Sequence, residues 1–129
     1  MNVFIVEDSE SVRGYLLSML SSISGVSVVG YAVDELGAIE RIGELLPDVV
    51  TLDLSLLPGS GVAVLDYIKK HHAAIKVIVL INYVDEFYTD SCRRAGADYV
   101  FDKTMQFQRV RSGLWSWVHD GCLGNAAKA

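Results

Sequence analysis

Cysteine is scarce in this chain. Cys92 and Cys122 are the only two, too few and too far apart for a disulfide framework or a zinc knuckle, so both read as reduced thiols of a cytosolic protein. Long hydrophobic runs are lacking too. The longest clean one, Val77 to Ile81, falls far short of the roughly 20 residues a membrane helix needs. The first residues carry neither a basic region nor a long apolar stretch, so no signal peptide is expected. Basic side chains are outnumbered: 11 Lys and Arg against 16 Asp and Glu give a net charge of −5. That argues against direct nucleic-acid binding, where a basic face must neutralise phosphates. It leaves room for a protein partner with a basic patch. Internal repeats, low-complexity segments and a linker to a second domain are also missing. What is present is 129 residues, 51% of them hydrophobic, enough for one domain that buries roughly two-thirds of its unfolded surface. The expected division is a domain over residues 1–120 and a small, polar, flexible tail over 121–129.

Short β-branched runs alternate with helix-period segments, the pattern of βαβ units. Strands are expected over Val3–Val6, Val26–Tyr31, Val49–Leu52, Lys76–Ile81 and Tyr99–Asp102. Val12, Tyr15, Leu16, Met19, Leu20 and Ile23 recur at i, i+3 and i+4, and Leu36, Ile39, Ile42 and Leu46 do the same. A third helix carries Val64, Leu65 and Ile68 after the Pro58-Gly59-Ser60-Gly61 turn. It ends at His71 and His72, where imidazoles suit the negative end of the helix dipole. Tyr88, Cys92 and Ala95 mark a fourth helix, closed by Gly96 as a left-handed cap. Phe107, Val110, Leu114, Trp117 and Val118 mark a fifth. Right-handed crossovers then give an α/β, flavodoxin-like (βα)5 doubly wound fold, with five parallel strands in the order 2-1-3-4-5.

In such a sheet, ligands sit outside the carboxyl ends of the strands, at the switch point between the first and third. Three of the apolar runs end in charge at that edge: Glu7-Asp8 after the first, Asp53 after the third, and Asp102-Lys103 at the fifth. Mg²⁺ (or Mn²⁺) takes hard oxygen ligands and keeps several waters. Asp8 and Asp53 suit direct ligation, Glu7 a metal-bound water, and the backbone carbonyl near Ser55 a further contact. Crowded carboxylates repel one another, and a divalent cation with the Lys103 ammonium offsets that charge. The same set makes Asp53 a nucleophile that can carry a phosphoryl group, with metal and lysine on the equatorial oxygens.

With Pro58 and Gly61 in the loop after Asp53, and Gly96-Ala97-Asp98 before Lys103, the pieces fall in an order and at separations that resemble a response-regulator receiver domain. The likeness runs from Val3 to about Val118. It implies phosphorylation of Asp53 by a sensor histidine kinase or phosphotransfer protein, with Glu7 and Asp8 holding Mg²⁺ and Lys103 contacting the phosphoryl group. Three positions depart from the family pattern. Ile81 stands where a Thr or Ser normally ends the fourth strand and bonds the phosphoryl oxygen. Val100 stands where an aromatic switch residue is usual, and Thr104 replaces the proline after the lysine. Asn82 offers a carboxamide in place of the missing hydroxyl if the backbone turns it into the site. An atypical switch at Ile81 and Val100 predicts weak coupling of phosphorylation to conformation.

The expected function is therefore that of a cytoplasmic signalling receiver, not an enzyme, acting through protein–protein contacts. The alternative is a receiver-fold interaction module whose output does not depend on phosphorylation. Phe87 and Trp115 lie off the core stripes of the fourth and fifth helices: each reads either as a flank residue over the sheet edge or as part of a partner surface on that face, which is also where a homodimer would form. Two enzyme or cofactor classes are disfavoured by the motifs. Mononucleotide binding wants a Ser/Thr/Gly-rich phosphate loop where Glu7-Asp8-Ser9-Glu10 stands, and a haloacid-type phosphatase wants an aspartate where Ser55 stands.

Overall fold

The computed structural model describes residues 1–56, 59–82, 86–103 and 107–120, the side chains of residues 86–88, 107 and 120 excepted. Ten elements alternate along it: β1 (Asn2–Val6), α1 (Glu10–Ser21), β2 (Ser27–Ala32), α2 (Glu35–Leu45), β3 (Val49–Asp53), α3 (Gly61–His71), β4 (Lys76–Ile81), α4 (Glu86–Arg94), β5 (Tyr99–Asp102) and α5 (Phe107–Asp120). The strands form one parallel sheet in the order β2-β1-β3-β4-β5, so the expected fold class and strand order hold. Pro58, Thr104, the tail 121–129 with Cys122, and the side chains of Phe87, Tyr88 and Phe107 lie outside the described residues.

Strand alternation divides the core in two. Phe4, Val6, Val50, Leu52, Val77, Val79, Ile81 and Val100 point to one face, where they meet Ala38 and Ile42 of α2, Val64, Leu65 and Ile68 of α3, and Cys92 of α4. Val3, Ile5, Val49, Ile78, Leu80 and Phe101 point to the other, against Leu16 and Leu20 of α1 and Val110, Leu114 and Trp117 of α5. Covering both faces is what lets β1, β3 and β4 be almost continuously apolar. Each fully buried leucine contributes about 1.5–3 kcal/mol by leaving water, so truncating Leu52 or Leu65, both wholly buried, would cost about 2–5 kcal/mol.

α1, α2 and α3 start where side-chain oxygens accept backbone N–H groups of the first turn. Val12 N–H donates to Ser9 Oγ (3.3 Å), Gly37 N–H to Asp34 Oδ1 (2.8 Å) and Ala63 N–H to Ser60 Oγ (3.3 Å). Gly96 closes the α4 segment at φ +106°, the left-handed conformation its position requires. His71 is the last residue of α3, and His72 caps it.

Three stripe residues do not face the core. Leu36 is 79% exposed, Leu46, the left-handed cap just past α2, is 57% exposed, and Tyr15 is 48% exposed. In α2 the Asp34 cap sets the helix phase, so the inward line runs through Ala38 and Ile42 and Leu36 turns outward. The second strand also starts one residue later than expected, at Ser27, and runs on to Ala32.

Candidate functional site

The switch point between β1 and β3 carries the acidic residues. β1 runs out at Val6, and Glu7 follows with its N–H donated to the Ala32 carbonyl at 3.0 Å. Next come Asp8 and then Ser9, the cap of α1. Asp53 is the last residue of β3, and Ser55 N–H donates to its Oδ1 at 2.9 Å. Lys103 follows β5, its N–H held by the Ile81 carbonyl at 2.7 Å. Gly61, the first residue of α3, packs against the backbone that follows β3: a Cβ on it would lie 2.5 Å from the Asp53 carbonyl oxygen and 2.7 Å from Leu54 Cα, so only glycine fits there.

Glu7, Asp8 and Asp53 converge, each offering a carboxylate oxygen within 4.8 Å of the others'. Glu7 and Asp53 are buried, and Asp8 is exposed. The Lys103 ammonium stands between the two buried carboxylates, 2.9 Å from Glu7 Oε1 and 3.2 Å from Asp53 Oδ1. Glu7 Oε2 accepts the Ser9 N–H at 3.1 Å. Glu7 Oε1 is buried and, apart from that ion pair, has no aligned hydrogen-bond donor among the described residues. These groups line an open cleft of about 410 Å³ together with Val12, Ser55 and Asn82.

Burial raises the Glu7 pKa above its ordinary 4.5; the Lys103 ammonium opposes the rise and the Asp53 charge adds to it. Burial also works to lower the Lys103 pKa, but the close contact with Glu7 and the charge of Asp53 outweigh it and hold the ammonium above its ordinary 10.5. One cation thus serves two buried anions with a third carboxylate beside them. Hard oxygen donors in this number, one of them a buried oxygen without an aligned donor, fit Mg²⁺ or Mn²⁺.

The predicted residues come together: Glu7, Asp8, Asp53, Ser55 and Lys103 share the cleft. The side chains of Ile81 and Val100 turn away from it into the α3–α4 side of the core, each 6% exposed. Trp115 lies apart on α5, half exposed, with its ring stacked on that of His119 at 3.8 Å. Phe87 belongs to α4, and its side chain is outside the described residues. Two contributors escaped sequence reasoning. Arg13 Nη1 donates to the Glu7 carbonyl at 3.1 Å while its guanidinium lies 4.5 Å above the Tyr31 ring. Glu35 Oε1 accepts the Ser60 N–H at 2.9 Å, tying α2 to the loop after Asp53. Neither pairing has a spacing signature: Glu35 and Ser60 are 25 residues apart, and Arg13 reaches the nearby Glu7 carbonyl only through the course of its long side chain.

Residues 3–114 match the family model described as the response regulator receiver domain. The chain is 42% identical over 87 residues to protein-glutamate methylesterase/protein-glutamine glutaminase 5 of Myxococcus xanthus, covering 67% of this chain and 25% of that protein. It is 34% identical over 114 residues to response regulator protein VraR of Staphylococcus saprophyticus, covering 88% of this chain and 54% of the other. The chain thus spans a quarter to about half the length of these curated relatives. Among solved structures, the response regulator domain of Thermotoga maritima CheB superposes with a TM-score of 0.80 at 30% identity, over 93% of this chain and 94% of that one.

Proposed function

The chain belongs to the response regulator receiver domain family, and from that premise we propose that Asp53 accepts a phosphoryl group from a histidine-kinase or phosphotransfer partner in a reaction that uses Mg²⁺ or Mn²⁺. The observation that carries this reading is the Lys103 ammonium bridging two buried carboxylates, 2.9 Å from Glu7 and 3.2 Å from Asp53. Asp53 Oδ1 is held by the Ser55 N–H and by Lys103. That orients the carboxylate and leaves Oδ2 for attack. An Asp53 oxygen–phosphorus bond forms in line as the phosphorus–nitrogen bond to the donor imidazole breaks, and the bonding pair leaves with the nitrogen. Lys103 lies where it can follow the equatorial oxygens as charge builds on them. Glu7, Asp8, Asp53 and the Ser55 carbonyl are the groups that would hold the cation. Its contribution is charge neutralisation, without which a phosphoryl dianion meets three carboxylates.

The chain acts in this reading as a cytoplasmic signalling part and not as an enzyme, with output through protein–protein contacts on the α4–α5 face and a homodimer through that face. Ile81 and Val100 supply neither hydroxyl nor aromatic ring, so phosphorylation and conformation are weakly coupled. That same pair favours a second reading, a receiver-fold interaction module indifferent to phosphorylation.

Incubation with Mg²⁺ and a small phosphodonor, followed by intact mass, separates the two. We expect one added phosphoryl group on the natural chain, none on Asp53→Asn, and one on Asp48→Asn and Asp102→Asn. Label persisting on Asp53→Asn would show that the acceptor is misassigned. No label on the natural chain would leave the interaction module as the better reading.

A further inference from the structure

A phosphoryl group on a carboxylate presents three peripheral oxygens, and a site that holds it must meet each with positive charge or a donor. The cleft over Asp53 has sides of different character. Glu7 and Asp8 form the side toward α1, where a cation is needed before any anion can approach. Lys103 stands on the β5 side. Between them stands Asn82, the residue that follows β4.

Among the described residues, the neutral side-chain donors lining the cleft are Ser9, Ser55 and Asn82. Ser9 is engaged, its Oγ accepting the Val12 N–H at 3.3 Å and lying 3.3 Å from Ser11 Oγ. Ser55 sits on Asp53's own loop, its backbone N–H given to Asp53 Oδ1 and its exposed hydroxyl without a hydrogen bond among the described residues, so it adds no donor from another side of the cleft. Asn82 approaches from a different strand, is exposed, and makes no side-chain hydrogen bond among the described residues. The strand end that carries it is fixed: the Leu80 carbonyl accepts the Leu54 N–H at 3.1 Å, and the Ile81 carbonyl accepts the Lys103 N–H at 2.7 Å. Those two bonds run to the residue after Asp53 and to Lys103 itself. Asn82 is therefore anchored to the frame of the acceptor site, while its side chain stays uncommitted among the described residues. Ile81, one residue earlier, is buried and aliphatic, so among the described residues Asn82 is the polar side chain at this end of β4.

We propose that Asn82 is a phosphoryl-binding residue, its Nδ2 donating to the peripheral oxygen that faces neither the cation nor Lys103. This rests on Asp53 being the phosphoacceptor. A carboxamide in that place gives the bound anion a neutral donor at no cost in buried charge, and it can return to water when the site empties.

The test uses the full chain with Mg²⁺ in excess and beryllofluoride as the phosphoryl mimic. Asn82→Ala should weaken beryllofluoride binding about ten- to a hundredfold, the loss of one hydrogen bond to a charged acceptor. Its Mg²⁺ affinity and unfolding midpoint should stay at the natural values. Asn82→Asp, which keeps the shape but sets a carboxylate against the anion, should weaken binding further. In the natural chain the Asn82 side-chain NH₂ signals should shift on adding beryllofluoride and not on adding Mg²⁺ alone. Alanine or aspartate variants that bind beryllofluoride as tightly as the natural chain, or NH₂ signals that do not move, overturn the assignment. A natural chain that binds Mg²⁺ but no beryllofluoride fails earlier, at the acceptor role of Asp53, and takes this proposal with it.

Discussion

Replacing Lys103 with methionine keeps the apolar stem and removes the ammonium, which makes it the sharpest probe of the site's electrostatics. The Lys103 side chain is 12% exposed and its partners Glu7 and Asp53 are 0% and 2% exposed. Breaking a buried ion pair by deleting one partner costs about 3–5 kcal/mol, because a charge is left without compensation. Here the cleft opens to water beside Asp8, and Glu7 can escape the penalty by taking a proton, so about 3 kcal/mol is expected for the metal-free protein at pH 8. The Glu7 pKa is already raised above 4.5 by burial and held back by Lys103, and the substitution releases it further. An acid whose folded pKa lies above its unfolded one gives stability that is fully present below the unfolded value and is lost as pH rises through the folded value. Every tenfold weakening of Glu7 as an acid in the folded chain removes about 1.4 kcal/mol at high pH. Urea unfolding of both proteins in chelator should therefore show a loss near 1 kcal/mol at pH 5 that grows to about 3 kcal/mol at pH 8. Mg²⁺ should restore more of it in the variant than in the natural chain. A loss that is equal at both pH values, or smaller than about 1 kcal/mol at pH 8, would refute the ion-pair reasoning.

Titration with Mg²⁺ or Mn²⁺ should move the amide signals of Glu7, Asp8 and Asp53 at about millimolar metal, as expected for a weakly held, largely hydrated ion; unmoved signals would remove the metal site. Trp115→Ala should weaken self-association at least tenfold, in line with the hot-spot scale of about 2 kcal/mol, while changing stability by no more than about 1 kcal/mol. An unfolding midpoint lowered as far as by a core truncation would make Trp115 a packing residue. With beryllofluoride, the natural chain should show small amide shifts over α4 and α5 and the Ile81→Thr variant larger ones. Equal shifts in the two would mean that the switch runs by a route other than a β4 hydroxyl.

Much of this arrangement was readable because its cause is local. β-branched runs announce strands, and right-handed crossovers leave few ways to order them. Once β1 and β3 are neighbours, Glu7, Asp8 and Asp53 must meet. Leucine positions proved a poor guide to the inward face of α2. Alanine carries little hydropathic signal, yet the small Ala38 is what faces the sheet while the larger Leu36 stays in water. Lys103 was legible as a strand-end cation, but its division between Glu7 and Asp53 was not, since that depends on the reach of one flexible side chain. Arg13 on the Glu7 carbonyl and Glu35 on the Ser60 N–H stayed hidden for the same reason. For Asn82 the unread quantity was one backbone turn at the end of β4.

Asp53 and Lys103 stand on β3 and just past β5, with Glu7 just past β1, and none of these strands pairs with another through a short hairpin. All the pairings are parallel and non-local, the kind that forms late in folding because long loops must close first. No fragment of the chain can therefore assemble the carboxylate–lysine cluster ahead of the complete sheet, and fraying of any one of the three strands dismantles it. Whatever binds there binds only the finished molecule. By mass action it steadies β1, β3 and β5 together rather than the loop it touches, so occupancy of the cleft is felt as a change in the cooperativity of the whole sheet.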